Sequence, residues 1–410
     1  MSPQYLTLHL INALPWHNMN RDANGRPKRL KQGAVERAML SSQSLKRAAR
    51  VAYEDEVIAD KSFRSSKYGV EEVLARVTVM AAANGLTVDL VKLRQDIEPV
   101  ILHLVAAKPP KAPKAPKAPK VSKAAKAARA DDLSLADDDE DDDGSEATNV
   151  WLSGDELDTI ARAALDTDLS KWLKKKDNKE GEFQVTSEHP LGVDHKVGSL
   201  AIAAFGRMFA NASDRQTEAA IAVSPATTTH RVVIETDYFT TVDDLQDRYN
   251  PEGGLGASHI GTANFTSGVY YRTVTIDREQ LIRSWSGANS DDAEDRLRSL
   301  LRCIIYSLPT GKKSSAPAQT RPLVVLLEEQ SYRAAYEFDT PVGADQESDG
   351  GYKAPSVARL AAERRAAVQF DPAVFGHAMV AGTVDDLDAF NVDVVALGDI
   401  IEHIIKWLKQ

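Results

Sequence analysis

The residues best placed to do chemistry are Lys46, Arg47 and Arg50 in the segment SSQSLKRAAR. On a helix Lys46 and Arg50, four apart, share a face away from the Leu45 stripe, with Arg47 to one side. The helix N-terminus and these cations can together address phosphates. The preceding polar segment, 18–34, adds Arg21, Arg26, Lys28, Arg29 and Lys31. Residues 1–50 hold nine Lys or Arg against Asp22 and Glu36, a local charge of +7. Such a strip suits a polyanion; a merely solvated basic face is the other use of the same residues.

The sequence carries little that suits covalent or metal chemistry. His9, His17, His230 and His259 are scattered, with no His-Glu-x-x-His and no paired cysteines, so each is expected as a core or hydrogen-bonded residue. Cys303 lies in an apolar helical pattern beside Ile304 and Ile305 and reads as packing. The glycines of GGLGASHIG, 253–261, lack the strand-to-helix setting and the Gly-Lys-Ser/Thr of a phosphate loop. Tyr238 and Phe239 end an expected strand, where an aromatic pair stacks on nucleobases or packs on its own core.

These residues need elements to hold them. Leu6, Leu8 and Leu10 alternate with Thr7 and His9, the pattern of a half-buried strand over Tyr5 to Leu14. Ser41 or Ser42 can cap a helix with Leu45, Ala49 and Ala52 inside. Residues 70–106 read as helix with a break or kink at Pro99, and Ser153 with Glu156 forms a capping box for the next helix. VGSLAIAAFGRM, THRVVIETDYF and SGVYYRTVTI read as strands, the last two a long hairpin whose polar connection spans about Thr240 to Asn264. A helix with Leu297, Leu300, Leu301, Ile304 and Ile305 follows, then an apolar strand, Leu323 to Leu327. The order strand, helix, strands, helix, strand predicts an α+β, ferredoxin-like sheet with a helical insertion.

At 410 residues the chain exceeds the roughly 100–200 typical of one domain. Hydrophobic residues are 43% and charged residues 27%, ordinary for a globular protein, and no run of about 18 apolar residues exists to span a bilayer. The start, MSPQYLTLHL, lacks a secretory signal, and a single cysteine excludes an intramolecular disulfide, so a cytoplasmic location is expected. The net charge of −10 argues against a nucleic-acid binder only as an average, since the residues after position 50 carry −17. Between the helices, residues 108–130 hold seven Lys and Arg129 in a Lys-Ala-Pro repeat, and 131–146 hold ten acids. This pair of blocks, 108–146, reads as a disordered insertion, either a polyampholyte that touches a partner or a solvated spacer.

The segments NMNRDANGRPKR, SSQSLKRA, FGRM, TTHRVVIETDYFTTVDDLQ and GASHIGTANFTSGVYYR together resemble the CasC family, the backbone subunit of the type I-E CRISPR Cascade surveillance complex. The resemblance covers roughly 1–60 and 190–330. It implies a modified RNA-recognition (RRM) palm over those residues, a helical fingers region over 61–189, a β-hairpin thumb over about 231–276, and 331–410 completing the palm. It also implies a role without catalysis, metal or cofactor: copies polymerise along a CRISPR guide RNA, with other Cascade subunits, and present it to target DNA for antiviral defence.

Carried over by position, Asn20, Arg21, Ser41, Gln43, Lys46, Arg47 and Arg50 hold the guide backbone. Met208 contacts bases near a kink, and Tyr238, Phe239 and Thr240 belong to the covering thumb. Phosphate contacts of this kind carry no sequence information, which suits a protein that serves any guide. The insertion and residues 331–410 depart from the family pattern. The competing expectation is a metal-dependent endoribonuclease, for which Asp22 is the one candidate carboxylate.

Overall fold

The computed structural model describes residues 3–65, 68–104, 149–166, 169–175, 183–185, 191, 196–209, 216–241, 259–346 and 350–410. The insertion expected at 108–146 and residues 242–258 of the hairpin connection lie outside them. Contacts group the chain into two units, Met1–Glu56 with Ala220–Glu279 and Asp291–Gln410, and Val57–Ala219 with Gln280–Ser290. Among the described residues no helix is long and apolar enough to cross a membrane.

The first unit is a mixed α+β assembly. Its strands are β1 (Tyr5–His17), β2 (Arg29–Gln32), β3 (Val35–Leu40), β4 (Ile221–Val223), β5 (Ala226–Thr228), β6 (Ile234–Thr241), β7 (His259–Asp277), β8 (Val324–Gln330), β9 (Phe375–Gly382) and β10 (Asp393–Val394). Its helices are α1 (Ser42–Glu56), α2 (Ala293–Tyr306), α3 (Lys353–Phe370) and α4 (Leu397–Leu408). The sheet runs β10-β9-β8-β1-β7-β5-β3-β2, with β4 and β6 also on β7. Neighbours are antiparallel except β9 and β10. Residues 331–410 supply β9, β10, α3 and α4 to this unit.

β1 is not half-buried. It lies between β7 and β8, and both of its faces are covered. Leu6, Leu8 and Leu10 share a face with their partners Ile276, Val274 and Arg272. The buried Arg272 donates to the carbonyls of Ile304 and Ile305 at 3.1 and 2.9 Å, closing the free C-terminal end of α2. On the opposite face Ile11 joins an apolar cluster with Val357 and Leu360 of α3. The polar residues there are paired: Thr7 Oγ1 donates to Gln330 at 2.8 Å, and His9 Nδ1 lies 2.8 Å from the Tyr271 hydroxyl. Glu328 accepts from Tyr336 and from Arg364, both at 2.7 Å. Burial raises its pKa, but hydrogen bonds from His9 and Tyr336 and the charge of Arg364 outweigh that and hold the carboxyl below its ordinary range. Period-2 alternation left Thr7 on a solvent face because polarity alone cannot distinguish water from a buried partner.

In the second unit, helices Gly69–Ala83, Leu90–Leu104 and Gly154–Asp166 surround a core that includes Val73, Val77, Ile97, Leu157, Ile160, Trp172 and Phe209. The helical stretch breaks at Asn84 and Gly85, and Pro99 sits inside the second helix. One half of the capping box is present: Ser153 donates its N–H to Glu156 at 2.9 Å, and its hydroxyl also donates to that carboxylate at 2.9 Å instead of accepting the Glu156 N–H. The expected strand through LAIAAF is instead the helix Leu200–Phe205. Ser199 caps it, the Asp60 carboxylate accepts its Leu200 N–H at 3.0 Å, and all six residues are buried. A short run that is apolar on every side has no period by which helix and strand differ. Residues 196–209 and 216–219 group with this unit, outside the expected 61–189, and Arg207 there pairs with Glu156.

Candidate nucleic-acid interface

The basic segment is held by its backbone. Asn20, itself buried, accepts the Ser41 N–H on its side-chain oxygen at 2.9 Å and the Lys28 N–H on its carbonyl at 2.9 Å. Ser41 then caps α1, its Oγ accepting from Ser44 N at 3.3 Å. Asn20, Arg21 and the head of α1 are therefore one tethered group. Asp22 turns the loop between them by accepting the amides of Asn24 and Arg26 at 2.9 and 3.0 Å.

A third segment joins them that sequence reasoning did not select. The loop TGKKSS, 310–315, follows α2 and lies against Asn18 and Met19 so closely that a methyl on Gly311 would sit 2.5 Å from the Met19 carbonyl oxygen. Lys312 holds a left-handed backbone at φ 58, an unfavourable state for a residue with a β-carbon. The loop closes on itself through Lys313 N to Thr310 O at 3.1 Å and Ala316 N to Lys312 O at 2.8 Å. Two adjacent lysines behind a glycine were the available signal, but nothing in the sequence places them beside Met19.

The cations differ in how far acids neutralise them. Arg50 is bound to Glu54 at 2.9 Å and Arg29 to Glu36 at 2.9 Å. Arg21, Arg26, Lys28, Lys31, Arg47, Lys312 and Lys313 make no ion pair among the described residues. Lys46 is half-buried, and burial lowers its pKa from the ordinary lysine value. Gln43 and Arg47 are exposed on α1. Unneutralised cations on three interlocked segments favour a polyanion, and long flexible side chains give it no base-edge code.

The buried histidines behave as structural groups. Burial brings His17 down to about 4, and its Nε2 lies 3.1 Å from the Tyr270 hydroxyl. His230 donates from Nδ1 to Arg231 O at 2.8 Å, accepts from Val269 N on Nε2 at 3.1 Å and stacks on Tyr352 at 3.7 Å. Burial lifts the Cys303 thiol to about 12. Among the described residues no three His, Cys, Asp or Glu side chains are grouped for a metal ion.

The hairpin is an extension of one long strand. The 19-residue β7 pairs with β1 over its C-terminal part, and its first eight residues, 259–266, pair with β6 as an arm. At the arm's root Val232 donates its N–H to the Glu36 carbonyl at 2.9 Å and Thr266 Oγ1 donates to the Val233 carbonyl at 2.8 Å; beside Glu36, Arg37 is fully buried on β3 and donates to the carbonyls of Thr228, Phe338 and Asp339 at 2.8, 2.7 and 3.1 Å. Tyr238 is 61% and Phe239 43% exposed, but adjacent strand residues face opposite ways, so they and Thr240 do not form one surface. Tyr238 and Thr240 share a side; Phe239 has the other. Met208 belongs to the second unit, where it is 65% exposed between the buried Arg207 and Phe209.

Solved structures that share this fold include chains of two CRISPR complexes. A chain of a "CRISPR RNA-guided surveillance complex, pre-nicking" superposes with a TM-score of 0.67 at 22% identity, over 98% of this chain and 100% of that one. A chain of a "CRISPR RNA-guided surveillance complex" gives 0.56 at 16% identity, over 98% and 99%. No curated protein sequence matches. The pattern of the CT1975-like protein family, in contrast, matches from residue 6 to residue 405, almost the whole sequence, and the chain belongs to that family.

Proposed function

We propose that this protein is a non-catalytic guide-RNA-binding backbone subunit of a CRISPR surveillance complex of the type I-E Cascade class. Several copies lie along one guide, beside other subunits of the complex, and hold it for pairing with target DNA. The observation that carries this reading is the set of unneutralised cations on Asn20–Lys31, the head of α1 and the 310–315 loop.

The sheet supports a palm of the RNA-recognition type. From β8 through β1 and β7 to β4 and β5, with α1 after β1 and α2 after β7, it has the order of a split βαβ unit. The second unit corresponds to the fingers and the β6–β7 arm to the thumb. Asn20, Arg21, Ser41, Gln43, Lys46 and Arg47 are the residues assigned to the guide backbone, with Lys312 and Lys313 added. Arg50, tied to Glu54, serves through the helix face rather than as an open charge. Tyr238 and Thr240 lie over the guide, and Met208 meets a base. Asp22, whose Oδ1 accepts two amides of its own loop, is read as a turn residue.

The test is RNA binding by Arg21→Ala and Lys46→Ala across unrelated guide sequences. Each is expected to weaken binding equally for all of them and to lower the salt slope by about 0.7 per lost phosphate contact. A loss confined to one sequence, or regularly spaced cuts in a complementary RNA that Asp22→Ala abolishes, overturns the proposal.

A further inference from the structure

β1 does not keep one register to its end. Leu14 pairs with Gly268 but His17 pairs with Thr266, so Pro15 and Trp16 together oppose the single residue Ser267. Proline has no N–H to give the ladder, and an extra residue in one strand re-aims the side chains beside it. The bulge exchanges the faces of β1. Before it, the even-numbered residues lie on the side of Arg272 and α2; after it, His17 takes that side, beside Tyr270, and Trp16 turns to the opposite one with Phe265 and Ser267.

Trp16 is held there without being covered. Its ring stacks on Phe265 at 3.7 Å with 21° between the planes, and Phe265 is itself buried. Leu14 and His17 on either side are also buried, so the indole starts from fixed backbone. One ring face is thus used, and the 37% of Trp16 that stays exposed offers the other face and the edge. This side of the sheet has room as well: Ser267 lines a cavity of about 470 Å³ that Tyr352, at the head of α3, walls on the far side. Two residues beyond Trp16 the basic segment begins at Asn18, whose side chain donates to the Gly25 carbonyl at 2.9 Å.

We propose that Trp16 is a base-stacking residue: its free face takes one unpaired nucleobase of the RNA whose backbone lies on Asn20–Lys31 and the head of α1. The ring is already fixed by Phe265, so stacking orders no new side chain, and every base has a π-face, so the contact tolerates any sequence. Glu235 faces Phe265 across the arm's root, is exposed and makes no ion pair among the described residues. A carboxylate there repels phosphate and accepts from base amino groups, which directs a base rather than the backbone to the ring. The inference rests on the guide-binding reading and adds an uncharged contact to a site otherwise built of cations.

The experiment titrates wild type, Trp16→Phe and Trp16→Leu with an unstructured single-stranded RNA of mixed sequence, reading affinity at several salt concentrations together with tryptophan fluorescence. Leucine covers Phe265 but cannot stack a base, whereas phenylalanine does both, so the two variants separate stacking from packing. Trp172, Trp285 and Trp407 are buried and Trp151 is half-buried, so the signal that differs between wild type and Trp16→Phe reports Trp16. Trp16→Leu is expected to bind about tenfold more weakly at every salt concentration with the salt slope unchanged, and Trp16→Phe to stay within about threefold of wild type. The Trp16 signal is expected to fall as RNA saturates the protein. Trp16→Leu binding as tightly as wild type, or a Trp16 signal that RNA does not quench, overturns the inference and leaves the guide-binding reading standing. A Trp16 signal that changes with protein concentration in the absence of RNA overturns it too, since the ring then meets another protein. Wild type that binds no RNA overturns both.

Discussion

The basic segment at the head of α1 and the β6–β7 arm both extend from the central strands β1 and β7, and they present side chains by opposite means. In the segment the side chains are long and charged, several of them without an ion pair among the described residues, while the backbone is fastened at several points: Asn20 to Ser41 and Lys28, Asp22 to its own turn, Met19 against Gly311. In the arm the described backbone beyond the root is held by its ladder, and the side chains of interest are aromatics and hydroxyls. A flexible cation must start from a fixed base to bind a polyanion without losing its gain to entropy, whereas an aromatic on a strand is already aimed by the pleat. The comparison therefore assigns salt-dependent affinity to the segment and salt-independent contact to the arm.

The largest way to break this contrast is on β3, beside the strand residue that holds the arm's root. Arg37→Leu leaves the buried carbonyls of Thr228, Phe338 and Asp339 without a donor, and the expected loss is about 3 kcal/mol of stability by urea unfolding. Amide exchange of β6 should rise in that variant while exchange of α1 stays as in wild type.

A loss of similar size is expected from acid at the segment's root. His17 is held neutral by burial at about 4, against 6.5 when unfolded. Between those values the unfolded chain takes up the proton and the folded chain does not, so stability is complete above about pH 6.5 and falls as pH drops toward 4, by about 3 kcal/mol in all. Urea unfolding at pH 7 and pH 4.5 should show this drop in wild type and a smaller one in His17→Gln.

The smallest effect sharpens the contrast most. Tyr238→Ala should cost about 2 kcal/mol of RNA affinity through lost stacking and leave the salt slope unchanged. Lys312→Ala should instead lower the slope by about 0.7. Titrations over a range of salt separate the two, and equal slopes for both variants would erase the distinction between segment and arm.

Much of the site was legible before the fold. The cap at Ser41, the helix behind it, the strand through Leu6 and Leu10, and the strand that carries Tyr238 and Phe239 all follow from local pattern, because each depends on residues within a few positions of one another. Three features did not. LAIAAF was read as a strand because a fully buried helix shows no periodicity. The helix break fell at Asn84 rather than at Pro99, since a proline can be housed in a helix when tertiary packing compensates. Lys312 and Lys313 were passed over because their importance depends on a contact across nearly 300 residues.

The sequence by itself determined the local charge, the caps and the alternation: which segment is basic, where α1 begins, and that Tyr238 and Phe239 must point apart on any strand. These are short-range consequences of side-chain chemistry and backbone period. Only the tertiary structure decided which cations remain unneutralised, that Thr7 and His9 are buried with partners, and that the 310–315 loop completes the basic group. Those outcomes depend on which distant groups share a face of the sheet, and strand pairing, unlike periodicity, leaves no local signature.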